Sequence, residues 1–211
     1  ICEIKSHAAV WFFCIPPGRS KAAQLEYQRY LSASLKLAQQ QQARHFVFCS
    51  STGVYPLTSQ RFDEFSVLND TSDKQARLIE NEKMVQQSQL ASTIVRLGGL
   101  FGENRHPGRF LSGKTLSSSA QGTVNMVHQV DAVNGLMFLA KEEVKESILN
   151  LVSPHHPTKV EFYNTASKLL ELPAPNFEIN HKEERIISSD LIVKLGFQFK
   201  YTNLFDALID C

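Results

Sequence analysis

Hydrophobic and polar positions along this chain follow two alternating patterns. Ala8 to Ile15 (AAVWFFCI) is a continuous apolar run stopped by Pro16, Pro17 and Gly18, as in a strand buried on both faces of a parallel sheet. Ser20 can cap the following helix, in which Leu25, Leu31, Leu35 and Ala38 keep helical spacing before a polar, solvated end at Gln39 to Gln42. Phe46 to Cys49 predicts a second buried strand, which makes strand, helix and strand one right-handed crossover. The unit then repeats. Ser72 to Gln75 (SDKQ) has capping-box spacing and opens a helix to about Gln89, and Thr93 to Leu97 is a third buried strand ended by Gly98 and Gly99. Asp131 is placed to cap another helix, with Val133, Leu136, Met137 and Ala140 on one face, and Ser147 to Val152 supplies a fourth strand. Strands alternating with helices predict an α/β doubly wound parallel sheet.

Beyond Pro154 the elements shorten. Thr158 to Glu161 (TKVE) is a second capping box, opening a helix expected to bury Phe162, Ala166, Leu169 and Leu170. Ser188 or Ser189 starts a helix ending at Gly196, Phe197 to Tyr201 (FQFKY) alternates like a half-buried strand, and a last helix lies near Asn203 to Ile209. The expected organisation is a core over residues 1–153, with 98–129 contributing to a small α+β lobe that occupies 154–211.

Composition narrows the functional classes. With 211 residues, 43% of them hydrophobic, the chain can bury one sizeable core. Lys plus Arg is 22 and Asp plus Glu is 21, a net charge of +1 scattered along the sequence. It lacks the basic stripe that nucleic acid or an anionic membrane requires, and its longest apolar run is too short to span a bilayer. Cys2, Cys14, Cys49 and Cys211 are isolated and form no Cys-x-x-Cys pair, the usage of a reducing compartment, so a cytoplasmic protein without a metal centre is expected. His155 and His156, beside Pro154 and Pro157, lack further ligands and read as loop residues.

In open parallel sheets ligands bind beyond the carboxyl ends of the strands. Three such ends are visible: Cys14-Ile15-Pro16, Ser50-Ser51-Thr52 and Leu97-Gly98-Gly99. Small and hydroxylated residues there leave room for a ligand and offer it donors.

Four stretches, in the same order along the chain, resemble the extended short-chain dehydrogenases/reductases, the NAD-dependent epimerase/dehydratase superfamily. FVFCSSTGVYP (Phe46 to Pro56) resembles the active-site strand, TIVRLGGLFGENRHPGRFLSGK the following strand and substrate loop, NMVHQVDAV an Asn-x-x-His-x-x-Asp segment, and ERIISSDLIVKLGFQFKY the C-terminal helix and strand. The resemblance implies a Rossmann-like core with a small substrate lobe, an NAD or NADP cofactor, and a small-molecule substrate; a homodimer is among the assemblies it allows. It implies Ser51, with Thr52 as the alternate, as the hydroxyl that orients the reacting oxygen. Cofactor contacts are expected from Cys14, Ile15, Pro16, Ser50, Leu97, Gly98 and Gly99. Substrate contacts are expected from Tyr55, Arg105, His106, Arg109 and His128, the cationic turn RHPGR being suited to carboxylate or phosphate.

Two features depart from the family. No Gly-x-Gly-x-x-Gly occurs, and the chain begins at what would be the fourth strand, so two βαβ units, roughly 60 residues at about 30 each, are expected upstream of Ile1. None of Tyr27, Tyr30, Tyr55, Tyr163 and Tyr201 has Lys four residues later, so the family's Tyr-x-x-x-Lys acid/base pair is missing. Aligned on Glu82, its two positions fall on Lys74 and Leu78, and aligned on Glu80, on Ser72 and Ala76, so neither register restores the pair; Lys74 reads as a solvated first-turn lysine rather than a stand-in acid. The expected function is that of an atypical NAD(P)-dependent oxidoreductase or epimerase/dehydratase-like protein acting at a hydroxyl or carbonyl carbon, with a non-catalytic NAD(P)-binding sensor as the alternative. A Ser51-His128-Asp131 hydrolase triad is disfavoured because Cys49 stands where Gly-x-Ser-x-Gly needs its first glycine.

Overall fold

A computed structural model of the chain describes residues 10–18, 20–69, 72–141, 144 and 146–211. Ala8 and Ala9 of the first predicted strand, and Cys2, lie outside them. The elements follow one another as β1 (Val10–Phe13), α1 (Lys21–Gln40), β2 (His45–Ser51), a 3-10 turn (Thr52–Val54), β3 (Arg61–Phe62), α2 (Asp73–Gln86), β4 (Ser92–Leu97), β5 (Gly99–Phe101), α3 (Pro107–Leu111), β6 (Thr115–Ser119), β7 (Met126–His128), α4 (Gln129–Lys141), β8 (Ile148–Leu151), α5 (Lys159–Leu169), β9 (Asn176–Ile179), β10 (Ile186–Ile187), α6 (Asp190–Lys194) and α7 (Leu204–Ile209). The four predicted buried strands, β1, β2, β4 and β8, form one parallel sheet in that order.

Both faces of the sheet are covered, which is why its strands read as unbroken apolar runs. On one face Phe13, Phe46, Phe48 and Ile94 pack against Tyr27, Leu31, Leu35 and Ala38 of α1 and Val85 of α2. On the other, Val47, Val95, Leu149 and Leu151 meet Ala132 and Leu139 of α4, Ile192 of α6 and Phe197. Three parallel two-stranded ladders, β5 with β7, β6 with β9 and β3 with β10, lie outside the main sheet. A third cluster ties Phe101 of β5 to Phe162 and Ala166 of α5 and to Leu204 and Leu208 of α7. The architecture is the α/β doubly wound, Rossmann-like fold.

Local signals placed most helix starts. Ser20 Oγ accepts from Ala23 N, and Thr158 and Glu161 form the complete reciprocal box of α5. At α2 Ser72 Oγ accepts from Gln75 N and donates to Gln75 Oε1 at 3.1 Å, while Gln75 Nε2 donates to the Tyr55 carbonyl at 2.9 Å. Asp131 is not a cap: α4 begins two residues earlier, and the buried Asp131 carboxylate accepts from the backbone N–H groups of Lys200 and Tyr201. The inward face of α4 is Ala132, Gly135 and Leu139, while Val133 and Met137 are exposed. Leu25 and Leu169 are exposed as well. Phe197 to Tyr201 is not a strand; Phe197 and Tyr201 are buried by separate clusters on an irregular segment. No described helix is long and apolar enough to cross a membrane.

Candidate functional site

The parallel strands bring their carboxyl ends to one edge of the sheet. Cys14, Ile15 and Pro16 follow β1 and are exposed, Ser51 ends β2 half-buried, and Leu97 and Gly98 at the end of β4 are half-buried with Gly99 exposed beyond them. Ser51 lies opposite Leu97 in the ladder. These candidates therefore share one rim.

Ser51 Oγ accepts from Gly53 N at 3.1 Å and caps the 3-10 turn, so one lone pair is used locally while the hydroxyl proton remains free to donate. A Cβ on Gly53 would lie 3.3 Å from Ser51 Oγ, 3.1 Å from Leu78 Cδ1 and 3.7 Å from Lys74 Cε. Lys74 and Leu78, the positions given by the alignment on Glu82, thus border the Ser51 turn. Lys74 is solvated, as expected, but it stands beside the tip rather than away from it.

Behind the rim is a buried polar network. Arg96 and Glu82, 2% and 3% exposed, form a forked pair through Nη2–Oε2 at 2.7 Å and Nε at 3.1 and 3.2 Å. Ser50 Oγ donates to Glu82 Oε1 at 2.5 Å, and Arg96 Nη1 donates to the Tyr55 hydroxyl, which donates to Asn150 Oδ1. Burial opposes charge on Arg96, but the Glu82 carboxylate outweighs it and holds the guanidinium above its ordinary pKa. Burial pushes the Tyr55 phenol up, against the lowering effect of Arg96. Burial likewise raises the Glu64 carboxyl, which accepts from Asn150 N at 2.7 Å.

This network changes the roles of several candidates. Tyr55 is fully buried and committed to Arg96 and Asn150, so the expected substrate contact is replaced by support of the turn. Ser50 is buried with its hydroxyl on Glu82, so its expected cofactor contact gives way to anchoring β2. His106 is buried and caps α3, its Nδ1 accepting from Gly108 N at 3.1 Å. His128 is buried edge-on against Phe101 and Tyr201, with centroids at 5.3 and 4.6 Å, and its Nε2 has no partner. Neither histidine offers surface to a substrate. Burial holds both below the ordinary histidine pKa, Asp131 pulling His128 the other way. Arg105 and Arg109 stay exposed; Arg105 donates to the Leu100 carbonyl and lies over the Phe110 ring.

A cleft of about 210 Å³ opens beside the tip, lined among others by Thr52, Leu57, Asn125, Lys159, Tyr163 and Arg185. Thr52 is the sequence candidate that reaches it; Ser51 is not among its lining residues. Arg185 closes one side, donating from Nε to the Pro56 carbonyl at 2.7 Å and from Nη2 to the Thr52 carbonyl at 2.9 Å. Its own carbonyl is held by Thr123 Oγ1 and Asn125 Nδ2. Desolvation lowers its pKa. Sequence reading missed Arg185, Lys159 and Asn125 as site residues. Arg185 and Asn125 lie inside stretches already matched to the family, whereas Lys159 carried no signal beyond its place in the capping box of α5.

The residues present fit one half of a dinucleotide. The open rim of Cys14 to Pro16, Ser51 and Leu97 to Gly99 suits the nicotinamide end, whereas the sequence carries no glycine-rich turn for the pyrophosphate. Gly98 also allows a close approach of backbone, since a Cβ there would lie 2.9 Å from the Asn125 carbonyl oxygen, whereas at Gly99 a Cβ would meet the movable end of the Met126 side chain. Among the described residues no cluster of three His, Cys, Asp or Glu is placed to hold a metal.

Comparison with known proteins bears on the family and the fold. Residues 3–130 match the family described as NAD(P)H-binding. Protein YeeZ of Escherichia coli (strain K12) is 33% identical over 159 residues, which are 74% of this chain and 58% of YeeZ. The chain thus spans less than two thirds of that relative. MoeE5 in complex with UDP-glucose and NAD superposes with a TM-score of 0.78 at 17% identity, covering 96% of this chain and 77% of that one. Human epimerase family protein SDR39U1 with NADPH gives 0.74 at 16% identity, covering 96% and 81%. UDP-glucuronic acid 4-epimerase from Bacillus cereus in complex with NAD gives 0.78 at 15%, covering 96% and 72%. At such identities the likeness is one of fold. Well over half of its residues match the family, and the chain belongs to the NAD(P)H-binding family, with the Rossmann-like fold of the NAD-dependent epimerase/dehydratase and short-chain dehydrogenase/reductase superfamily.

Proposed function

We propose that the protein is an NAD(P)-dependent oxidoreductase or epimerase/dehydratase-like enzyme acting at a hydroxyl or carbonyl carbon of a small substrate, in the cytoplasm. Residues 1–153 would form its cofactor core and 154–211 its substrate lobe. The observation that carries the reading is the Ser51–Thr52 tip, which ends a parallel strand between an open rim and the cleft closed by Arg185. A bound nicotinamide supplies or removes a hydride. Ser51 and Thr52 hold the reacting oxygen, Ser51 with the hydroxyl proton that its turn leaves free. Lys159 and Arg185, opposed by Glu183, give the cleft a cationic excess that suits a substrate with an anionic group. The nucleotide sugars named with two of the fold relatives are of that chemistry.

No tyrosine is followed by Lys at the fourth position, and the Tyr55 phenol is buried away from the cleft. Proton transfer then falls to water, to the Thr52 hydroxyl at the tip or to a residue outside these 211, the Tyr163 phenol in the cleft wall having no Lys partner of the family's kind, and losing a positioned acid or base lowers a rate by about 10²–10⁴-fold. That gap favours a second reading, an NAD(P)-binding sensor without turnover. Titrating the full-length protein with NADPH and NADH while following nicotinamide fluorescence tests both, since each requires binding. Ser51→Ala separates them: the enzyme loses roughly 10²–10³-fold in kcat, as for removal of one donor to a reacting oxygen, with cofactor affinity little changed. Failure to bind either nucleotide overturns both readings.

A further inference from the structure

We propose that Cys14 and Cys49 form a redox-responsive dithiol that a hydroperoxide closes into a disulfide linking β1 to β2 at the edge of the sheet that carries Ser51. The proposal is independent of the function assigned above. The two cysteines are 35 positions apart and unremarked by any spacing motif, yet their sulfurs lie 3.2 Å apart in a thiol–thiol hydrogen bond. The register explains the contact. Phe13 pairs with Phe48, so the next position on each strand brings Cys14 opposite Cys49. Neighbouring strands run about 4.7–4.9 Å apart, inside the roughly 4.4–6.8 Å that a disulfide spans between Cα atoms. Matching positions on parallel strands also point their side chains to the same face. The sulfurs, 3.2 Å apart, have about 1.2 Å to close to reach a disulfide bond length.

The pair is asymmetric in the way an attacking and a resolving thiol require. Cys14 is exposed and Cys49 half-buried. The hydrogen bond from the Cys49 thiol lowers the Cys14 pKa to about 7 against the effect of burial, while the same bond and burial push Cys49 up. At neutral pH Cys14 carries the thiolate fraction and Cys49 keeps its proton. In the first step the Cys14 thiolate attacks the outer peroxide oxygen: an S–O bond forms, the O–O bond breaks, and the departing oxyanion takes a proton from water. Cys14 is then a sulfenic acid. In the second step Cys49 gives up its proton and its sulfur attacks Cys14; the S–S bond forms, the S–O bond breaks, and hydroxide leaves with that proton as water. Two thiols lose two electrons, and one hydroperoxide becomes an alcohol and water, or two waters when the oxidant is hydrogen peroxide. A small dithiol returns the pair to the reduced state.

The test treats the reduced full-length protein with near-stoichiometric hydrogen peroxide at pH 7.5, followed by native thiol titration and peptide mapping by mass spectrometry. The expected result is the joint loss of Cys14 and Cys49 thiols, a cross-linked peptide lighter by two hydrogens, and full reversal by dithiothreitol. Cys49→Ser should stop at a Cys14 sulfenic acid that dimedone traps, and Cys14→Ser should leave Cys49 reduced at the same dose. Alkylation of Cys14 should rise with pH through a midpoint near 7. Wild-type protein that keeps both thiols, a cross-link found only between chains or to Cys211, or a Cys49 that reacts as fast without Cys14 as with it would each overturn the proposal. The wild-type measurement stands even if a serine variant fails to fold.

Discussion

Arg96 and Glu82 are buried together behind the Ser51 strand, and each satisfies the other's charge. Removing one partner leaves the other charge buried without compensation, which costs about 3–5 kcal/mol. Arg96→Met is therefore expected to lower the stability of the protein by that amount, measured by urea denaturation. Arg96→Met combined with Glu82→Gln should recover part of the loss, since no bare carboxylate remains. The same network explains why residue roles were only partly legible in the sequence. Ser51 was found from its motif, and the structure puts it at the rim. Tyr55, in the same motif, has its hydroxyl claimed by Arg96, 41 positions away, and by Asn150, 95 positions away. Nothing within a short window of sequence carries that information. Cys14 and Cys49 look isolated for the same reason.

At the scale of elements, caps and close approaches decide where helices begin and how near they come. Gly108 in α3 meets α5 so closely that a Cβ would stand 2.5 Å from the Ala166 carbonyl oxygen, a backbone atom. Gly135 in α4 faces Leu151, where a Cβ would stand 2.5 Å from Cδ2, the end of a side chain. Gly108→Ala must push two helices apart and is expected to cost about 1–3 kcal/mol, as overpacking does. Gly135→Ala should cost less, because a rotamer change at Leu151 relieves part of the clash; thermal melts of the two variants check the order. The caps of α1 and α5 were readable because Ser20 and Thr158 bond to N–H groups three residues away. The segment Phe197 to Tyr201 misled because its alternation comes from two separate clusters, one taking Phe197 and the other Tyr201, rather than from one pleated face.

For the whole molecule, acid bears on the junction between the sheet and the C-terminal elements. Asp131 of α4 accepts from the Lys200 and Tyr201 backbone, and His128 lies between Phe101 and Tyr201. Burial keeps His128 below its ordinary pKa of about 6.5. The unfolded chain then binds a proton that the folded chain refuses, so this group's contribution is complete above pH 6.5 and falls as the pH drops below it. Glu64 and Asp131, raised by burial, act in the opposite sense, so the comparison must be made against a variant. The stability difference between wild type and His128→Phe, measured in urea at pH 7.5 and 5.5, should shift in favour of the variant at the lower pH. The ceiling for that shift is about 1.4 kcal/mol, one proton over one pH unit.

The sequence by itself determined the four buried strands, the helices between them, the doubly wound class and the strand tip at Ser51. Each of these depends on apolar periodicity, caps or a contiguous motif, all short-range properties of the chain. Only the tertiary structure decided that Tyr55 and Ser50 join a buried network behind the rim, that His106 and His128 are packed inside, that Arg185 and Lys159 border the cleft, and that two distant thiols touch. Those roles depend on which residues come to lie opposite one another once parallel strands are set in register. Register is fixed by packing across the whole sheet, so no local stretch of the chain encodes it.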